Sequence, residues 1–196
     1  MTCLRRRRCR PCLAAAALCL ATLFPAVRAH EAGTSQFRLD IGERALESRF
    51  RLDLLTLLRL VPGLDADRDE RVSIAEVEAA RETVTAYLNE HVSLDIDGAE
   101  AGGWGEALPI FWPDEEGRPV DRANYHQLLV HFPYRKAVAG RPREVRVTFD
   151  VFVEFGGAHR VLGDIGLDAE NRETMVFSHL EPDYLFDVAY ALKSTR

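Results

Sequence analysis

The chain contains 196 residues, of which 47% are hydrophobic, with 25 basic and 31 acidic side chains. This length and apolar content are sufficient for one domain that buries its own core. The formal net charge of −6 argues against nucleic acid and anionic lipid surfaces as partners, and it is compatible with the binding of cations.

The first 29 residues are predicted to form a signal peptide. Five arginines between residues 5 and 10 precede an apolar run over residues 13–24, and small residues follow near a cleavage position at Ala29. The apolar run is too short to span a bilayer, and no later segment approaches the roughly 20 residues that a membrane helix needs. We therefore expect a mature chain that begins at His30, is periplasmic or secreted, and has no transmembrane segment.

Removal of this segment changes both the charge and the cysteine content. It contains six arginines and no acidic residue, so the remaining 19 basic and 31 acidic side chains give a net charge of −12. All four cysteines (Cys3, Cys9, Cys12 and Cys19) lie within it. The mature chain is therefore predicted to be a single exported domain over residues 30–196, without disulfides, a thiol nucleophile or a thiolate metal site.

The first predicted elements are a β-hairpin and a short helix. Apolar and polar residues alternate over residues 36–42 and 45–52, on either side of a Gly-Glu-Arg turn. A helix is predicted over residues 54–61, with Asp53 as its N-cap and a Pro-Gly pair after its last turn.

A second helix is predicted over residues 73–89, where apolar residues recur at helical spacing. Acidic residues fill the loop between the two helices. The segment from about 53 to 90 is therefore predicted to be a helix–loop–helix.

Most of the remaining chain is predicted to form β-strands. They cover residues 92–96, 124–134, 143–155, 159–167 and 173–179. In the third of these strands, apolar residues alternate from Val145 to Phe155, which predicts one buried face. Residues 184–192 fit a last strand or a short helix equally well. The pattern predicts an α+β fold, namely an antiparallel β-sandwich-like domain with an inserted, EF-hand-like helix–loop–helix.

The twelve residues from Asp65 to Glu76 have the ligand spacing of an EF-hand calcium loop. Three aspartates within five residues repel one another, which is a reason to expect a cation among them. The predicted calcium ligands are the carboxylates of Asp65, Asp67, Asp69 and Glu76, the backbone carbonyl of Arg71 and a water molecule held by Ser73.

Two features weaken the calcium interpretation. Glu70 stands where the sharp turn favours glycine, and a side chain on a left-handed backbone costs ~1–2 kcal/mol. Ser73 and Glu76 also match a helix capping box, which needs no metal. The alternative is thus a metal-free acidic turn. If the loop binds calcium, we expect a dissociation constant of about 10⁻⁴–10⁻³ M and a structural role rather than a signalling one.

His30 defines a second candidate metal site. As the first residue of the mature chain, it would offer its α-amine and imidazole to copper or nickel, and one further histidine would complete the site. The candidates for that third ligand are His91, His126, His131, His159 and His179. The simpler interpretation is that His30 merely follows the cleavage position.

No pattern typical of a catalytic site is found in the sequence. It contains no nucleophile elbow, no His-Glu-x-x-His motif and no phosphate-binding glycine loop. Trp104 and Trp112 fit an exposed recognition patch or, in the favoured interpretation, the edge of the core. We therefore predict a protein without catalytic residues.

Several short segments resemble the exported N-terminal region of HupE/UreJ-related proteins, a group associated with hydrogenase and urease metal supply, and small exported proteins of unknown function. The segments are the strand Ser35–Ile41, the loop Leu64–Glu76, the helix ending at Leu88 and the strand Ala158–Leu162. HupE/UreJ-type proteins continue into membrane helices, which are not found in this sequence, so no transport role is implied. The resemblance implies the fold, export and an accessory task beside a membrane permease or another envelope protein.

These expectations combine into one functional prediction. The protein is expected to be a periplasmic, calcium-stabilised binding or accessory module with one degenerate EF-hand loop. The alternative is a periplasmic copper or nickel binding protein that uses His30.

Overall fold

The computed structural model describes residues 33–194. The predicted signal peptide and His30 lie outside the described residues. The strands in this range are β1 (Thr34–Ile41), β2 (Ala45–Asp53), β3 (Arg71–Val72), β4 (Val92–Ile96), β5 (Ala99–Glu100), β6 (Glu106–Ala107), β7 (Val120–Asp121), β8 (Leu129–Ala137), β9 (Glu144–Phe149), β10 (Arg160–Gly166), β11 (Arg172–Phe177) and β12 (Asp183–Asp187). The helices are α1 (Leu54–Leu60), α2 (Ile74–Ala79), α3 (Arg81–His91), α4 (Phe152–Phe155) and α5 (Val188–Ser194).

β1 and β2 form the predicted hairpin. Alternate side chains of both strands are buried, and Phe37 lies opposite Phe50 in the antiparallel register. The backbone N–H of Gly42 donates to the carbonyl of Ala45 over 2.9 Å, which closes the turn. The period-2 pattern of the sequence therefore predicted this element correctly.

The strands form two larger sheets and one short ribbon. The order of the six-stranded sheet is β11-β10-β1-β2-β8-β6, and that of the four-stranded sheet is β12-β9-β4-β5. β3 and β7 form the ribbon. The fold is α+β and sandwich-like, as predicted. β1 and β10 differ from the antiparallel expectation because they pair in parallel. The chain reaches β10 by crossing over from β9 in the other sheet, and such a crossover permits a parallel pair.

The core lies between the two larger sheets. Phe37 of the six-stranded sheet contacts Phe149 of the four-stranded sheet, with ring centroids 5.4 Å apart. Trp104 packs edge-on against Phe37 and Phe50, is 2% exposed, and donates from Nε1 to the carbonyl of Val92 over 2.9 Å. The interpretation of Trp104 as a core residue is confirmed.

α1 begins as predicted. The Asp53 side chain accepts a hydrogen bond of 2.6 Å from the N–H of Thr56, and Leu54 and Leu57 are buried. An N-cap of this kind satisfies one of the donors that a helix leaves free at its start.

The predicted helix over residues 73–89 is divided into α2 and α3 at Ala80, whose φ and ψ are −87° and −5°. Of the predicted stripe Ile74, Val77, Val84 and Leu88, the last three are buried and Ile74 is half-buried, and Ala80 is buried at the division. The buried face was therefore predicted correctly except at Ile74, whereas the backbone irregularity was not predicted.

The prediction of a strand through residue 155 is wrong. β9 ends at Phe149, and the next residues form α4, in which the N–H of Phe155 donates to the carbonyl of Val151 over 3.0 Å. Val153, which was expected on the buried face, is 79% exposed, whereas Phe152 is buried. Apolar residues four apart fit both a strand and a helix, so the period alone did not decide between them.

The other differences concern boundaries and the two-residue strands β3, β5, β6 and β7, which the sequence did not predict. β8 begins at Leu129, because a 3₁₀ turn over Arg122–Asn124 precedes it. The last segment contains both of the predicted alternatives, β12 followed by α5. Among the helices of residues 33–194, none combines the length and apolar character that a membrane crossing requires.

Candidate metal centre

The acidic loop connects α1 to α2 and is anchored by an apolar residue near each end. α1 ends where the N–H of Val61 donates to the carbonyl of Leu57. Leu64, just before the acidic segment, is 3% exposed, and Val72 near its other end is fully buried. The residues between them lie at the surface. The core therefore fixes both ends of the loop while its carboxylates remain accessible.

Three of the predicted carboxylates converge on one point. One oxygen from each of Asp65, Asp67 and Glu76 lies within 4.8 Å of the others. Two oxygens that bind one Ca²⁺ at about 2.3–2.6 Å are at most about 5 Å apart. The spacing of the three oxygens therefore fits a shared calcium ion.

The backbone of the loop curls around Asp65. Arg68 and Glu70 have positive φ angles of 61° and 64°, so Glu70 adopts the left-handed conformation expected at the position that favours glycine. As a result, the N–H groups of Asp69 and Glu70 donate to the two carboxylate oxygens of Asp65 over 3.2 and 3.1 Å.

The capping box of α2 is confirmed. The Ser73 hydroxyl accepts from the N–H of Glu76 over 3.3 Å, and Glu76 Oε2 accepts from the N–H of Ser73 over 2.8 Å. The other oxygen of Glu76 accepts from the N–H of Ala66 over 2.8 Å. Glu76 therefore joins the start of the loop to the start of the helix.

The same contacts keep Glu76 ionised. Burial disfavours its charged form, but hydrogen bonds from the backbone and hydroxyl of Ser73, and from the backbone of Ala66 and Asp67, outweigh burial and lower the pKa of Glu76. A carboxylate oxygen that accepts one hydrogen bond still has a second lone pair for a cation.

The other predicted ligands take different positions. Asp69 does not belong to the converging group found among the described residues, and its Oδ1 accepts from the N–H of Arg71 over 2.8 Å. Arg71 itself lies in β3. The Ser73 hydroxyl is used by the helix cap. The structure thus brings together three of the six predicted ligands.

A strand that the sequence analysis did not predict supports the loop. In the ribbon of β3 and β7, Val72 lies opposite Val120, and the N–H of Arg122 donates to the carbonyl of Glu70 over 3.0 Å. Val120 is also buried. The strand β7, rather than a second acidic loop, therefore pairs with the end of the acidic loop.

Tyr125 is the residue of this region that the sequence analysis missed. Its side chain is 2% exposed, and its hydroxyl has no hydrogen-bond partner among the described residues. Burial raises the pKa of Tyr125, and the charges of Asp65, Asp69 and Glu76 raise it further, so the ring lies in the field of the loop. A buried hydroxyl without a partner is unfavourable. No local pattern links Tyr125 to the loop, because the two are far apart in sequence.

The second candidate metal site is only partly within the described residues, since His30 lies outside them. His159 is 2% exposed and lies beside Gly33, where a Cβ atom would be 3.8 Å from Nδ1 of the histidine. Its Nε2 is 3.0 Å from the hydroxyl of Ser35, while Nδ1 has no hydrogen-bond partner in the described chain. Burial lowers the pKa of His159 to about 4, so the ring is neutral near pH 7.

Comparison of the chain with protein-family models and with curated proteins finds no match. The resemblance to HupE/UreJ-related proteins therefore stays a prediction from short sequence segments.

Proposed function

We propose that the Asp65–Glu76 loop binds one calcium ion, and that this ion stabilises an envelope protein without catalytic residues. The observation that carries the proposal is the convergence of Asp65, Asp67 and Glu76 oxygens within 4.8 Å. Calcium is the expected cation because all of these donors are carboxylate oxygens and the residues have the spacing of an EF-hand loop.

Tyr125 supports the same proposal. Its buried hydroxyl has no partner among the described residues and lies in the field of the loop carboxylates. A water molecule bound to the cation would give this hydroxyl a hydrogen-bond partner. The hydroxyl therefore acts, in this proposal, as an outer contact of the ion rather than as a direct ligand.

The ion is proposed to stabilise the loop rather than to switch its conformation. Leu64 and Val72 fix the ends of the loop to the core, and the capping box of α2 is complete without a metal. Glu70 in a left-handed conformation weakens the site, so we expect a dissociation constant of about 10⁻⁴–10⁻³ M.

Calorimetric titration tests the proposal with variants that separate metal binding from helix capping. Asp65→Asn and Asp67→Asn remove charged ligands that have no role in the cap, and they should abolish the heat of calcium binding. Ser73→Ala removes the cap and should lower the free energy of unfolding by about 1 kcal/mol, equally with and without calcium. Asp114→Asn, in an exposed turn bonded to Arg118, is the control for loss of an aspartate.

Tyr125→Phe completes this set. It should weaken calcium binding while retaining the core packing of the ring. If the wild-type protein is folded and gives no calcium heat at millimolar concentration, the loop is a metal-free acidic turn. Equal calcium binding by wild type and Asp65→Asn would contradict the assignment of the ligands.

The cellular role is proposed from the sequence. The basic and apolar N-terminal segment, the strong negative charge of the remainder and the absence of catalytic motifs favour an accessory protein of the periplasm. A membrane permease or another envelope protein is its proposed partner. Cell fractionation and the intact mass of the processed protein test export, with cleavage expected between Ala29 and His30.

A copper or nickel site at His30 is the second candidate function. The observation that favours it is the unpartnered Nδ1 of His159 beside Gly33, three residues after His30. In this proposal, the α-amine and imidazole of His30 and Nδ1 of His159 bind the metal. Copper heat that is lost both in His159→Gln and when one residue is added before His30 would support it. Retention of that heat in both variants would exclude it.

A further inference from the structure

The outer face of the six-stranded sheet carries a row of side chains that the calcium proposal does not use. Strand register aligns Val176, Leu162, Gln36, Arg51 and His131 across five neighbouring strands. Val176 and Leu162 are 48% and 43% exposed and lie opposite one another on adjacent strands. One end of the row is therefore apolar and its middle is polar.

Two arginines beside this row are neutralised. Arg172 bonds to Asp164 over 2.5 Å and to Asp40 over 2.7 Å, and Arg38 contacts the same two carboxylates. Burial lowers the pKa of Arg172, but the hydrogen bonds to Asp164 and Asp40 and the charges of these two carboxylates outweigh burial and raise it. The two nearby carboxylates, Asp40 and Asp164, are therefore already paired with these arginines.

Arg49 and Arg51 are different, because neither has a carboxylate partner in the part of the chain that the structure describes. Arg51 donates to Oε1 of Gln36 over 3.0 Å, and the guanidinium of Arg49 lies 5.8 Å from the ring centre of Phe111. The Nε atoms of both arginines are buried without a hydrogen-bond partner. Two positive charges on this face are therefore without a carboxylate in direct contact among the described residues, in a protein whose net charge is negative.

A groove lies over the apolar end of the row and reaches Arg51. Its volume is about 430 Å³, within the range of small-molecule sites. Its lining includes the side chains of Gln36, Arg38, Arg51, Leu162, Asp164 and Val176.

We propose that this groove binds a small organic carboxylate, with its anionic group at Arg51 and Gln36 and its apolar body on Leu162 and Val176. Arg51 uses one N–H for Gln36 Oε1, which leaves its other terminal N–H groups and the Gln36 amide as donors. A carboxylate presents two oxygens to two such donors, and charge-assisted bonds of this kind are the strong ones.

The charge of the groove favours a single carboxylate over an acidic protein segment. Arg38 is already paired, and Asp164 also lines the groove, so only one end of the groove is positive. An extended acidic chain would place further negative charge near Asp164, which is unfavourable. A monoanion with an apolar body places its one charge at Arg51 and its apolar part against Leu162 and Val176.

Calorimetric titration with octanoate tests this inference, using protein purified after expression of the full chain. Wild type should bind octanoate, whereas acetate, which lacks the apolar body, and octylamine, which has the opposite charge, should bind at least about tenfold more weakly. Arg51→Gln should weaken octanoate binding about tenfold, since it removes a charge-assisted hydrogen bond.

Two further variants make the result decisive. Leu162→Gln changes an exposed side chain and should weaken octanoate binding without affecting folding, which thermal unfolding checks. Arg135→Gln, on the same face but outside the groove, should leave the affinity unchanged. Absence of octanoate binding to folded wild type, or an affinity equal to that of wild type in Arg51→Gln or in Leu162→Gln, overturns the proposal. Tighter binding of a glutamate-rich peptide, lost in Arg49→Gln but retained in Leu162→Gln, overturns it in favour of an acidic protein partner.

Discussion

The acidic loop and the arginine-bearing sheet face both gather like charges, but they satisfy them in opposite ways. In the loop, the backbone N–H groups of Ala66, Asp69 and Glu70 turn towards the carboxylates and bond to them. On the sheet face, the backbone groups of β1 and β2 are used in the strand ladders. Arg49 and Arg51 therefore depend on other side chains or on a ligand.

This difference shows what each region can do without a ligand. In the loop, backbone N–H groups that are not used in a strand ladder compensate part of the carboxylate charge. The capping box already fixes the end of the loop, so a cation would add stability to a formed structure. On the sheet face, the backbone N–H and C=O groups are already paired in the ladders and cannot compensate side-chain charges. The charges of Arg49 and Arg51 are therefore open to an external anion. The loop is thus expected to respond to calcium, while the sheet is expected to depend on the core beneath it.

Removal of a core ring beneath the arginine face should have the largest effect. Phe50 is 2% exposed and packs against Phe37 and Trp104. We expect Phe50→Ala to lower the free energy of unfolding by about 3–5 kcal/mol. Saturating calcium should raise the stability of the variant and of the wild type equally, because the two regions are independent. Urea unfolding with and without calcium measures both values, and unequal increments would refute that independence.

A pH series should separate the two regions. The pKa of His159 is lowered to about 4 by burial, so between about pH 6.5 and 4 the unfolded chain binds a proton that the folded chain does not. Stability should therefore fall by roughly 2–3 kcal/mol as the pH drops through this window. His159→Gln should reduce the fall in this window, measured by urea midpoints, whereas His179→Gln at an exposed position should not. His131, whose pKa burial and the nearby Arg51 and Arg49 also lower to about 4, adds to the same window.

The loop should respond at lower pH. The pKa of Glu76 lies below its ordinary value of 4.5, so its stabilising contribution is present above that value and is lost as the pH falls through the lowered pKa. Glu76→Gln should remove this low-pH loss and leave the profile above pH 5 unchanged. A change of the profile near pH 6 in this variant would show that the two regions are coupled.

Relief of backbone strain should strengthen the loop by a smaller amount. Glu70 has a φ of 64°, so Glu70→Gly is expected to raise the free energy of unfolding by about 1 kcal/mol and to tighten calcium binding. Glu82→Gly, in the helical backbone of α3, is the matched control and should instead destabilise the protein. Weaker calcium binding by Glu70→Gly would mean that the Glu70 charge matters more than its conformation.

The smallest effect is expected for the ion pair behind the loop. Arg122 and Glu70 are 3.8 Å apart with side chains 73% and 75% exposed, whereas the backbone bond between the same residues is 3.0 Å long. Arg122→Gln should therefore leave thermal stability unchanged within error. A clear loss would show that the side chains, rather than the backbone bond, hold the ribbon to the loop.

The sequence predicted those elements whose cause is local. The alternation in β1 and β2, the Asp53 cap of α1 and the capping box at Ser73 each depend on residues close together in the chain. The convergence of Asp65, Asp67 and Glu76 was predicted for the same reason. The strand prediction through residues 151–155 was wrong because apolar residues four apart suit two periods, and the contacts of Phe152 and Phe155 with the core favour the helix.

By itself, the sequence determined the α+β class, the hairpin, the helix starts and the carboxylates that share one loop, because apolar periodicity and hydrogen bonds between residues close in the chain decide them. Only the tertiary structure decided the parallel pairing of β1 with β10, the pairing of β3 with β7 beside the loop, and the alignment of Arg51 with Leu162 and Val176. Each of these joins residues far apart in the chain, and their side chains meet only when strand register and sheet order place them together.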